Sequence, residues 1–273
     1  VDAIIIAGGS PDEKDPLHAL TGGGLKALLP IRGRPMVSYV IEALAGLREP
    51  GLIALYGPDP SAPLGLDHLP DLAGRLLRFP GQGSILENVE HGLEQLKANG
   101  ATGTHTIVTT GDVPLLQSAL LDAHLELCLQ TDHDFYFSVV RREIMDTRFP
   151  SSQRTYVKLR DGAFCGADVH VLRRSQPIAN RALWQRLMAS RKHPLRQVAM
   201  IGPLPLLKVV TGRMTIAEAE GLFFKLFGAR ARVIPTPFPE LGMDVDRPFQ
   251  VRIIEMEIER REQTAALAAG QTL

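Results

Sequence analysis

Three stretches carry residues whose types and positions suit chemistry. Gly8 and Gly9 follow the apolar run Ile4-Ile5-Ile6-Ala7, and the same loop closes on Gly22-Gly23-Gly24-Leu25-Lys26. Glycines placed directly after a strand let backbone N–H groups approach an anion with no Cβ in the way. Lys26, the only lysine between Lys14 and Lys97, adds a point charge. The loop is a phosphate cradle or, equally, a glycine-rich surface loop with a solvated lysine; its residues alone leave both open. Gly111-Asp112-Val113-Pro114 ends an apolar stretch on an acid, and Asp244-Val245-Asp246 stands shortly before Pro248. The eight histidines are scattered, and none pairs with a cysteine or an acid at metal-ligand spacing, which argues against a zinc site. No Gly-Lys-[Ser/Thr] closes the glycine loop, which argues against a Walker P-loop.

The elements that must position these residues follow from periodicity. Short apolar runs at 4–6, 51–56 and 106–110 read as buried strands, and 75–79 as a shorter one. Helical spacing marks 35–44, with Pro35 in its first turn, and 117–130. Ser84 and Glu87 have capping-box spacing for a helix to about Asn99, whose Ile85, Val89, Leu93 and Leu96 form one apolar face. Strand, helix and strand in alternation predict an α/β fold, a three-layer sandwich with a mostly parallel central sheet, whose ligands belong at the carboxyl ends of the strands. Gly8, Gly9 and Asp112 share that edge. Further on, 135–140 reads as a strand, 154–159 as an exposed strand, Asp161-Gly162 as a turn into 164–171, and 232–234 as a strand. Helices are expected at 178–190, at 215–227 behind a Thr215-x-x-Glu218 box, and from Pro248 to about Leu267. The apolar segment from Val198 to Val210 is expected to be buried, with contact to a lipid or an apolar ligand as the alternative. No internal repeat or flexible linker stands out, so one compact domain is expected, with a change of character near residue 115.

Composition narrows the partners. Thirty basic and thirty acidic side chains in 273 residues give no net charge, so no overall field favours nucleic acid or an anionic membrane. Cys128 and Cys165 lie in unlike contexts, which suits a reducing compartment. No signal-peptide pattern precedes the first strand and no run of about 20 apolar residues is present, so no integral membrane segment and a cytoplasmic location are expected.

Taken together and in order, Ala7-Gly8-Gly9, Lys26-x-x-Leu29-Pro30-Ile31-x-Gly33-x-Pro35-Met36, Gly111-Asp112-Val113-Pro114 and Asp244-Val245-Asp246-x-Pro248 resemble the MobA-like nucleotidyltransferases. The resemblance spans nearly the whole chain and implies a glycosyltransferase-A-like sheet. It implies that Ala7, Gly8, Gly9, Lys26, Gly111 and Asp112 bind the nucleoside triphosphate, with Gly81, Gly83 and Ser84 in a turn similar to the base-reading turn of methylerythritol-phosphate cytidylyltransferases. Ser84 serves equally as a helix N-cap. It also implies that Asp112 and Asp246 hold Mg²⁺, with Asp244 as a substitute, and that Lys26, Asp112 and Asp246 form the catalytic set. Magnesium takes one or two carboxylates together with substrate phosphate oxygens, which suits two acids from distant parts of the chain. As turn former and helix cap, the same two aspartates have structural readings too.

The turn at Phe164-Cys165-Gly166-Ala167-Asp168 resembles the acceptor loop of the family, with Asp168 where asparagine is usual. Gly166 and Asp168 are acceptor-binding candidates, together with the basic Arg154, Lys158, Arg191, Lys192 and Lys208, any of which serves equally as a solvated surface charge. The family loop usually reads Gly-Gly-x-Gly-x-Arg and ends in Pro-Lys; here no arginine is present, Leu25 precedes Lys26, and Lys14 is the remaining cation.

The expected activity is Mg²⁺-dependent transfer of an NMP from an NTP, with CTP slightly favoured, to a small phosphorylated acceptor, with release of pyrophosphate. A phosphate acceptor is already ionised at neutral pH, so no general base is needed, only positioning and charge neutralisation. Residues 1–115 would then form a nucleotide-binding half, 116–247 an acceptor-binding half and 248–273 a terminal helix. The alternatives are a glycosyltransferase that uses Asp244-Val245-Asp246 with a nucleotide sugar, or a nucleotide-binding module without catalysis.

Overall fold

The computed structural model describes residues 1–8, 15–174, 181–190, 196 and 200–270. In chain order the elements are β1 (Asp2–Ile6), α1 (His18–Thr21), the ribbon β2 (Pro30–Ile31) and β3 (Arg34–Pro35), α2 (Met36–Ala45), β4 (Ile53–Gly57), β5 (Leu76–Pro80) and α3 (Ile85–Ala98). There follow β6 (His105–Thr110), α4 (Ser118–Leu129), β7 (Phe135–Arg141), α5 (Arg142–Arg148), β8 (Val157–Leu159), β9 (Gly162–Gly166) and β10 (Val169–Arg173). The chain continues with α6 (Arg181–Ala189), α7 (Pro203–Val210), α8 (Ile216–Phe227), β11 (Ala231–Thr236) and α9 (Pro248–Gly270).

Among the described residues, nine strands form one sheet in the order β5-β4-β1-β6-β10-β7-β9-β8, with β11 on β7. The first four are parallel neighbours, and β11 runs parallel to β7. β10 runs antiparallel between β6 and β7. Gly166 lies opposite Val139 while Val171 lies opposite Tyr136, so β9 and β10 are one strand path with Ala167 and Asp168 bulged out of the ladder.

β1 is apolar on both faces because both are covered. Ile4 packs with Ala54, Tyr56 and Leu96 under α3. Ala3 and Ile5 join the larger cluster containing Val37 and Ile41 of α2 and Leu121 of α4. Both expected capping boxes are present: Glu87 N donates to Ser84 Oγ (3.2 Å) while Ser84 N donates to Glu87 Oε2 (2.8 Å), and Thr215 and Glu218 bond reciprocally in the same way. No helix among the described residues is long and apolar enough to cross a membrane.

The segment expected to be buried before residue 210 is a correction. Pro203 and Pro205 fall in the first turn of α7, where a proline is tolerated, and the helix turns Leu204, Leu207 and Val210 outward. These three are 62%, 59% and 62% exposed, while Val209 is buried.

One buried group makes folding acid-sensitive. His124 is 1% exposed, its Nε2 sits 2.7 Å from Ser138 Oγ, and burial pushes its pKa down to about 4. The unfolded imidazole titrates near 6.5, so the stability held by the neutral ring is complete above that pH and is lost as pH falls towards 4. The loss is on the order of 3 kcal/mol. Thermal melts across this range should show a falling Tm, and His124→Asn should reduce that slope, with His170, also pushed down to about 4 by burial, keeping its share.

Candidate active site

The site begins where three strand ends are pinched together. After β1 the chain passes through Ala7 and Gly8, and Gly111 N, just beyond β6, donates to Ile6 O at 3.0 Å. At the end of β4, Gly57 has φ +132°, and a Cβ there would lie 2.2 Å from Gly8 N and 2.4 Å from Ala7 C. Only glycine fits. On the other side, a Cβ on Gly111 would lie 2.7 Å from Ala7 Cβ. Gly8 therefore sits exposed on the carboxyl edge with its backbone fixed from both neighbouring strands. Gly9 lies outside the described residues. Gly57 was not among the residues singled out from the sequence; its one signal is that a buried strand pattern ends on glycine.

The acids meet on the same edge. Lys26 opens a short helical turn, Lys26–Leu28, and its Nζ lies 2.5 Å from Asp112 Oδ2 and 2.6 Å from Asp246 Oδ1. Burial opposes the ammonium charge, but the two carboxylates outweigh it and raise the Lys26 pKa above the ordinary lysine value. Val245 N donates to Asp112 O at 3.0 Å, tying the two acidic turns through the backbone. Asp244 also has a carboxylate oxygen in this group, within 4.8 Å of those of Asp112 and Asp246, and it is ion-paired with Arg154.

Asp168 joins the group through the bulge. Its N–H donates to Leu241 O (2.8 Å) and its carbonyl accepts from Thr110 N (3.3 Å). Burial, and then the charge of Asp112, raise its carboxyl pKa to about 7, against the pull of Arg154 and Lys26. Among the described residues, Asp112 Oδ1 and Asp168 Oδ2 are buried with no hydrogen-bond partner. The orphaned Oδ1 of Asp112 and the carboxylates of Asp244 and Asp246, with oxygens within 4.8 Å of one another, form an oxygen donor set of the kind a hard divalent cation takes.

Other expected site residues are distributed differently. Gly81, Gly83 and Ser84 form the turn after β5, on the same edge. Asn88 fastens it: Gln82 N donates to Asn88 Oδ1 (2.8 Å) and Asn88 Nδ2 donates to Ser84 O (2.9 Å). The Ser84 hydroxyl caps α3. With β4 between them, β5 and β1 are roughly 10 Å apart at the usual strand spacing. Lys158 is exposed on β8, at the far margin of the sheet, and is not brought to the acids; Gly166, at the end of β9, is exposed. Arg191 and Lys192 lie outside the described residues.

No curated protein matches the chain in sequence. The chain is similar to a solved structure described as a hypothetical transferase from Thermus thermophilus, with 34% identity over 92% of this chain and 98% of that one, and a TM-score of 0.72. Two more distant structures show the same fold. One is 4-diphosphocytidyl-2C-methyl-D-erythritol synthase from Anaerococcus prevotii, at 11% identity over 94% and 97% of the two chains (TM-score 0.53). The other is CMP:2-keto-3-deoxy-manno-octonic acid synthetase complexed with CTP, at 13% identity over 96% and 100% (TM-score 0.52). The MobA-like NTP transferase domain matches residues 3–202, which include the pinched glycines, Lys26, Asp112 and Asp168. The pinched glycines, Lys26 and the converging acids thus share the carboxyl edge of the sheet, and the chain belongs to the MobA-like NTP transferase family of nucleotidyltransferases.

Proposed function

We propose that the protein transfers an NMP from an NTP, with CTP slightly favoured, to a small phosphorylated acceptor and releases pyrophosphate in a Mg²⁺-dependent reaction. The observation that carries this reading is the Lys26 ammonium seated between Asp112 and Asp246, on the edge where Gly8 is exposed. That spot selects positive charge, and a triphosphate needs positive charge there. Cytidylyl chemistry in the names of two fold relatives, and the braced turn from Gly81 to Ser84, support CTP as the donor.

In this reading residues 1–115 take the nucleotide and 116–247 the acceptor, ahead of the terminal helix at 248–273. The backbone at Ala7 and Gly8 lies along the triphosphate. Asp112 and Asp246 hold the metal, with Asp244 kept close by Arg154. Bound there, Mg²⁺ supplies charge neutralisation of the phosphates and of the leaving pyrophosphate. Lys26 directs its charge to the same phosphates, and Gly166 and Asp168 face the acceptor. An acceptor phosphate oxygen forms the bond to the α-phosphorus while the bond to pyrophosphate breaks, and no side chain has to remove a proton.

Thermal melts with ATP, CTP, GTP, UTP and a set of nucleotide sugars, each with and without Mg²⁺, test this. An NTP at a hundredfold excess over Kd adds about 2.7 kcal/mol, a Tm rise of about 5–10 °C for a protein of this size. A rise with one NTP that requires Mg²⁺, followed by pyrophosphate release on an acceptor panel, is the expected result. No rise with any NTP would sink the reading, and a rise only with nucleotide sugars would replace it with glycosyl transfer.

A further inference from the structure

We propose that Gln250 is the positioning residue that sets the Asp246 carboxylate in its metal-binding place, an inference that rests on Asp246 being a metal ligand. Gln250 is 4% exposed and lies in the first turn of α9. Its Oε1 accepts two adjacent backbone N–H groups, those of Asp246 (2.7 Å) and Arg247 (2.8 Å). A glutamine in the first helical turn commonly reaches back to the N–H just before the helix, because the first N–H groups have no partner within it. The bond to Asp246 goes one residue further than that cap requires. Two consecutive N–H groups on one oxygen fix the peptide between Asp246 and Arg247, and with it the direction of the Asp246 side chain.

The preceding residue is held from the opposite side, by Val245 N on Asp112 O (3.0 Å). Asp246 thus hangs between the main chain of Asp112 and the amide of Gln250. The other end of that amide reaches the strap bearing Arg154: Gln250 Nε2 is 3.4 Å from Ser152 O, and Arg154 pairs with Asp244. The side chain therefore has to accept twice and donate once. Glutamate would keep both accepted bonds and lose the donated one. Asparagine is one methylene too short to reach Asp246 N, and methionine fills the space with no acceptor.

Mn²⁺ titration of the purified protein, followed by loss of the free-ion EPR signal, tests the assignment in wild type, Asp246→Asn, Gln250→Met, Gln250→Asn and Gln250→Glu, beside thermal melts of each. The expected result is a Mn²⁺ half-saturation at least tenfold higher in Gln250→Met and Gln250→Asn and within threefold of wild type in Gln250→Glu. A Gln250→Met or Gln250→Asn protein with lowered Tm but Mn²⁺ half-saturation within twofold of wild type would make Gln250 a helix cap only and overturn the proposal. Equal Mn²⁺ binding by wild type and Asp246→Asn would remove Asp246 from the metal site, and the proposal would fall with the reading it rests on.

Discussion

Asp112→Asn is expected to lower NMP transfer by about a thousandfold while leaving the protein folded. The substitution keeps the shape of the side chain and removes the charge that pairs with Lys26 and that the proposed metal would use. Losing one carboxylate from a two-carboxylate site removes about 4 kcal/mol of transition-state stabilisation, the size seen when a single preorganised electrostatic contact is deleted. Stability should change far less. Lys26 keeps its second partner, Asp246, 2.6 Å away, and Asp112 Oδ1 makes no hydrogen bond in the folded protein that could be lost. The expected change is about 1 kcal/mol, a Tm shift of about 2–4 °C. Pyrophosphate release and the Mg²⁺-dependent NTP shift, measured beside the melt without ligand, separate the two effects. A variant that retains the Mg²⁺-dependent shift would take Asp112 out of the site.

Gly57→Ala carries the largest expected effect on stability. The added methyl would sit 2.2 Å from Gly8 N, and the clash is with backbone, so no rotamer change can relieve it. The φ of +132° adds strain for any residue with a side chain. Together these cost about 4 kcal/mol, roughly a 10 °C fall in Tm. Any relief must push the Ala7–Gly8 backbone away from β4, so the NTP-induced rise in Tm should vanish even below the new melting point. Gly81→Ala is the matched control: its φ is ordinary and a Cβ there meets nothing within 4 Å. Its Tm should stay level or rise slightly, by up to about 1 kcal/mol.

Which parts of this arrangement can be read from sequence depends on whether the physical cause is local. Both capping boxes are local, and both are present. The βαβ rhythm before residue 115 likewise places Gly8 and Asp112 on one edge, because strand ends in parallel sheets must coincide. The reverse run of β10 is different: its alternation signals a strand, but nothing nearby says that it enters between β6 and β7. Gly57 is a distant case too, since its need for glycine comes from the backbone at Gly8. Arg154 finds Asp244 only after folding, and a basic residue in an exposed-looking stretch gives no sign of it. Gln250 had a partial signal, as a glutamine two positions after Pro248, but that pattern announces a cap and not a grip on Asp246. In α7 the apolar composition points to burial, and the spacing of Leu204, Leu207 and Val210 on one outward face escapes a reading by composition.

The strand order also sets a schedule for synthesis. β5, β4, β1 and β6 all come from the first 110 residues and are mutual neighbours, so they can pair while the ribosome is still making the rest. The outer edge of β6 then waits, unpaired, until β10 emerges. Asp112 is in place early, whereas Asp244 and Asp246 follow the last strand, β11, and Gln250 comes later still. A nascent chain therefore owns the glycine elbow and one carboxylate long before it owns the second. On the proposed assignment, an unfinished copy lacks the second metal carboxylate and would not hold a metal-bound triphosphate until the final turn docks.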